Sequence, residues 1–133
     1  MGQPAAKQND IVTAVDTHIV MVPTPGGPVP TPLPHPFVGP LNGGLSTSVK
    51  INGMFAAVMG STASATPPHI PTPPGTAFQK PPINQGRIML GSATVMINGK
   101  PAARITDSVM TCNDPVDLPV GKIIGVATVM IGG

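Results

Sequence analysis

Three histidines and one cysteine are the residues of this chain best suited to chemistry: His18, His35, His69 and Cys112. Imidazole nitrogen and thiolate sulfur suit zinc, and a site filled by four protein ligands is structural rather than catalytic. Iron is the alternative metal, since nitrogen and sulfur donors also accept it. None of the short ligand spacings of zinc fingers or ribbons is present, so the case rests on where the four residues fall. A catalytic metal is disfavoured. It keeps an open position and usually a carboxylate acid or base nearby, yet the chain has no glutamate. A Cys-His-Asp hydrolase lacks support too, because no family-like context surrounds Cys112. The expectation is a protein that is not an enzyme.

The four residues follow an internal repeat. Ala93-Thr94-Val95-Met96-Ile97-Asn98-Gly99 leads into Lys100-Pro101-Ala102-Ala103-Arg104-Ile105-Thr106-Asp107. An earlier copy runs from Thr47 through Asn52-Gly53 and Ala56-Ala57 to Ser61. The third copy is split between the ends. Ala127 to Gly133 matches Ala93 to Gly99 at six of seven positions, and Gln3 to Asp10 matches Lys100 to Asp107. Asp10, Ser61 and Asp107 are therefore equivalent. His18 lies eight residues after the first, His69 eight after the second and Cys112 five after the third. If the ends meet and close a pseudo-threefold ring, those three ligands converge at one end of the axis, and His35 closes a tetrahedron. Asp10 and Asp107 recur as turn or strand-end residues. Pseudo-threefold symmetry in one chain also anticipates a threefold-symmetric partner.

The elements that must position these residues are hairpins. Val49 and Ile51, Val95 and Ile97, and Val129 and Ile131 alternate with their neighbours in the period-two pattern of half-buried strands. Asn52-Gly53 and Asn98-Gly99 suit type I′ turns, and Gly132-Gly133 takes the corresponding place in the split copy. The Ala-Ala pairs follow on the return strands, where small side chains permit close backbone approach. Between repeats lie two proline-rich inserts, residues 22–40 and 67–82, expected to be stiff polyproline-like loops. No helix is expected. The fold class is all-β: a small cone of short hairpins with pseudo-threefold repeats, proline-rich loops and a metal-pinned apex. Residues 1–133 are read as one domain.

Composition narrows the functions. Glycine and proline together make 35 of 133 residues, but only 9% of the chain is charged, unlike disordered chains of low hydrophobicity and high charge. With no Trp or Tyr and three Phe, the core needs another staple, such as a metal or a partner. One cysteine allows no internal disulfide. A net charge of +2 without a basic run argues against nucleic acid. The N-terminus lacks signal-peptide character, so the chain is expected to be made in the cytoplasm and exported without a cleaved signal.

Pro4-Ala5-Ala6-Lys7 and Pro101-Ala102-Ala103-Arg104, in circular register with the hairpins and the glycine-rich ending, resemble the PAAR-repeat family. The middle copy departs from the motif at Met54-Phe55-Ala56-Ala57-Val58. The resemblance implies a β-rich cone whose broad base caps a homotrimeric, VgrG-like β-helical spike, one tip per trimer. The spike belongs to type VI secretion or a phage-tail-like particle. It implies zinc near the apex, held by three His and one Cys, here His18, His35, His69 and Cys112. It further implies a puncturing role at the tip of the particle, with transient contact with a target membrane. The alternative is an adaptor that docks a separate effector or cargo onto the spike.

Overall fold

The computed structural model describes residues 2–132. In chain order its strands are β1 (Gln3–Pro4), β2 (Ile11–Val22), β3 (Val29–Gly43), β4 (Lys50–Ile51), β5 (Met54–Phe55), β6 (Thr62–Ser64) and β7 (Ala77–Phe78). They continue with β8 (Gln85–Ile88), β9 (Met96–Ile97), β10 (Lys100–Pro101), β11 (Ser108–Thr111), β12 (Leu118–Ile124) and β13 (Met130–Ile131). The described residues contain no helix, so the chain is all-β.

The split repeat closes. β1 pairs antiparallel with β13, Gln3 opposite Ile131 and Pro4 opposite Met130. This hairpin matches β4–β5 and β9–β10. The two intact hairpins turn on Asn-Gly pairs with both residues at positive φ: 51° and 82° at Asn52-Gly53, 51° and 80° at Asn98-Gly99. That is the type I′ geometry expected of Asn-Gly. Gly133 lies outside the described residues.

A cyclic hydrogen-bond ring locks the three units together. Ala6 N–H donates to Ala103 C=O, Ala103 N–H to Ala57 C=O, and Ala57 N–H to Ala6 C=O, each at 3.0 Å. A second cycle runs from Gln8 to Phe55, Met59 to Pro101 and Ile105 to Pro4, at 2.8–2.9 Å. The ring alanines are 0–1% exposed; any larger side chain would hold the three backbones apart.

Beyond the ring, six strands close into an antiparallel barrel in the order β12–β11–β8–β6–β3–β2, with β12 pairing back onto β2. The result is a small barrel-like cone. Its interior keeps the threefold pattern. Leu41, Ile88 and Ile123 accept equivalent backbone bonds from Asn9, Gly60 and Thr106, and all three are buried. Val12, Ala63 and Val109 occupy the next inward positions, with Phe37 in the same core.

The first proline-rich segment differs from its expectation. Residues 29–43 are a strand, not a loop, and pair with β2 from Ile11↔Pro40 to Val22↔Val29. Parity explains it. Pro30, Pro32, Pro34, Pro36 and Pro40 all fall on even positions. Successive N–H groups of a strand point to opposite sides, so every missing donor lies on the side away from β2. Proline is tolerated in a strand on such an edge. The odd residues donate, and His35, Phe37, Gly39 and Leu41 turn inward and are buried. Only residues 23–28 form the connecting turn. The second insert remains largely irregular, with β7 bonding to β2 at Val20 and Met21.

Candidate metal centre

The alternation of β2 builds one wall of the site. Asp16 and His18, two residues apart on the inward face, are 0% and 1% exposed. His35 lies directly across the ladder from Asp16. His69 enters from the second proline-rich segment, its backbone N–H held by Asn84 Oδ1 at 2.9 Å. Cys112 follows immediately after β11. Two of the three phenylalanines frame the cluster. Phe37 lies 5.9 Å from His69, and Phe78 lies 5.7 Å from His18 and 5.4 Å from His35, between ring centroids.

The structure brings His18, His69 and Cys112 together, with Asp16 as a fourth donor. One ligand atom from each lies within 4.8 Å of all the others. Cys112 Sγ is 3.7 Å from His18 Nε2 and 3.5 Å from Asp16 Oδ2, and His69 Nε2 is 2.9 Å from Asp16 Oδ2. His35 stands beside them, its ring centroid 5.2 Å from His18 and 5.7 Å from His69. Both its nitrogens face backbone: Nδ1 lies 2.9 Å from Leu33 C=O, and Nε2 accepts from Thr72 N–H at 3.1 Å. In this arrangement His35 staples the proline-rich segment to β3.

Repeat phasing passes over Asp16, because no equivalent residue recurs in the other units. The available signal is local: a carboxylate two residues before His18 on a strand shares its face.

Burial sets the electrostatics. It pushes the Cys112 thiol from an ordinary 9.0 up to about 11, and the Asp16 carboxylate adds to the rise. Burial also holds His18 and His35 below the usual imidazole value, against opposing contributions from Asp114 and the Leu33 carbonyl respectively. A thiol so raised and enclosed is a poor nucleophile, since reactivity belongs to the exposed thiolate. A divalent metal reverses the balance by taking the thiolate directly. The donors fit one: two imidazoles, a sulfur beside the Asp16 carboxylate and His18 Nε2, and a buried carboxylate to offset its charge. Asp16 Oδ1 is in turn held by the hydroxyl of Thr111 and by Asn113 Nδ2, the outer support usual around metal ligands.

The repeated acids work elsewhere. Asp10 and Asp107 accept the backbone N–H of Lys7 and Arg104 and pair with their side chains at 2.9 Å. In the middle unit Ser61 Oγ accepts from Val58 N–H at 3.0 Å. Where the motif loses its basic residue it loses the acid too.

No curated protein matches the chain. The family model that does match covers 55 residues, from the end of the second proline-rich segment through the Asn98-Gly99 hairpin, Pro101-Ala102-Ala103-Arg104 and Cys112 to the C-terminal strand. Residues 79–133 are matched by the family described as PAAR motif, consistent with a PAAR-repeat protein.

Proposed function

We propose that this protein is the puncturing tip of a contractile injection system, seated one per trimer on a VgrG-like β-helical spike. The PAAR motif supports a spike-tip role in such systems generally. The observation that carries the finer reading is the basal ring. Three equivalent hairpins surround a closed pseudo-threefold hydrogen-bond cycle, and each is a two-stranded sheet whose outer strand, among the described residues, pairs only with its own partner. Pro4 and Pro101 have no N–H, so Met130 and Met96 opposite them are non-hydrogen-bonded pairs. Their amides point outward. Free strand edges are templates for another chain, and three in threefold register suit the end of a trimeric β-helix.

Metal would fix the opposite end. His18, His69 and Cys112, with Asp16 as the fourth donor that the geometry supplies, would hold one zinc. Bound zinc supplies a cross-link between β2, the second proline-rich segment and the end of β11. Iron is the alternative ion. No turnover is required. The particle supplies force and the tip concentrates it on the target envelope, after assembly in the producing cell.

A second reading, an adaptor for separate cargo, draws on the barrel wall. Val15, Val38 and Val120 are all exposed and point outward from adjoining strands with the prolines of β3. Co-purification with the trimeric spike separates the readings. A tip binds the spike directly, and Met96→Pro with Met130→Pro abolishes binding while the melting temperature holds. Recovery of cargo without the spike would favour the adaptor.

A further inference from the structure

His18 carries an unexplained atom. Its Nε2 faces Cys112, whereas Nδ1 is buried without a hydrogen-bond partner. Asp114 Oδ2 lies 3.5 Å from it, with both side chains almost fully enclosed. Asp114 is itself anchored. Its N–H donates to Thr17 C=O at 2.8 Å, and Oδ2 accepts from Ile19 N–H at 2.9 Å. Asn113 accepts from Thr17 N–H. The two residues after Cys112 thus bind the backbone of β2 on either side of His18.

From this geometry we propose that Asp114 is a positioning residue for the metal: its carboxylate keeps the proton on His18 Nδ1 and leaves Nε2 free as the ligand. A ligating imidazole almost always gives its second N–H to such a partner, which fixes tautomer and ring orientation. Cys112-Asn113-Asp114 then supplies one ligand and holds two others, Asn113 acting on Asp16 and Asp114 on His18. This rests on the proposed metal centre.

The test combines zinc competition against a chromophoric chelator with long-range 1H–15N spectra of the zinc-loaded protein. In the wild type, His18 should show a protonated Nδ1 and a metal-bound Nε2. Asp114→Asn keeps an oxygen for Ile19 N–H but loses the charge, and should weaken zinc about 10-fold; Asp114→Ala should approach about 100-fold. Wild-type affinity in Asp114→Asn, or a metal-bound Nδ1 in the wild type, would overturn the positioning role and leave the metal centre standing. A wild-type protein that takes up no zinc would overturn both.

Discussion

Cys112 and the histidines are paired in a way that makes stability depend on pH. His18 and His35 are held below the ordinary 6.5, so as pH falls the unfolded chain takes up protons first. Their contribution is complete above about 6.5 and is lost below it. Cys112 is raised from 9.0 to about 11, so as pH rises the unfolded chain loses its proton first, and stability falls above about 9. The metal-free protein should therefore be most stable between these limits. Bound metal replaces the thiol proton and should remove the alkaline loss. Melting curves across pH, with and without chelator, check this; an alkaline limb that persists in metal-loaded protein would contradict ligation by Cys112. Cys112→Ala and His69→Ala should each lower metal content and melting temperature. Asp16→Ala should cost more metal than His35→Ala, by elemental analysis, because both His35 nitrogens face backbone. The repeat phase pointed to His18, His69 and Cys112. Asp16 was illegible to the same logic, since its role depends on a strand face rather than on a repeated position.

The elements show where composition misleads. The Asn-Gly turns were readable because positive φ at two successive residues has few solutions. β3 was not, because proline density suggests a loop until parity is considered. Leu33→Pro places a proline on a donating position, removes a ladder hydrogen bond and should cost about 1–3 kcal/mol. Pro32→Thr, on the non-donating parity, should change stability by less than about 0.5 kcal/mol. Urea denaturation distinguishes them; equal losses would refute the parity argument. The turn acids allow a second test. Arg104→Val alone leaves Asp107, which is largely buried, without its cation and should cost about 1–3 kcal/mol. Adding Asp107→Ser recreates the Val58/Ser61 pair of the middle unit and should recover most of it. A strictly additive double mutant would show that the two positions do not act as a pair.

At the scale of the molecule, the split repeat foretold that the ends meet, and β1 pairs with β13. Closure of the barrel was hidden, because β12 returns to β2 across nearly the whole sequence and no local pattern encodes that pairing. One end carries three open hairpins around a backbone ring; the other carries donors buried between two phenylalanines. The central claim is that the open end caps a threefold spike. Native mass spectrometry of the protein mixed with the proposed partner, a trimeric VgrG-like spike, tests it most directly. The expected result is a single species of one chain per trimer, heavier by one metal ion. Three chains per trimer, or no complex, would contradict the account.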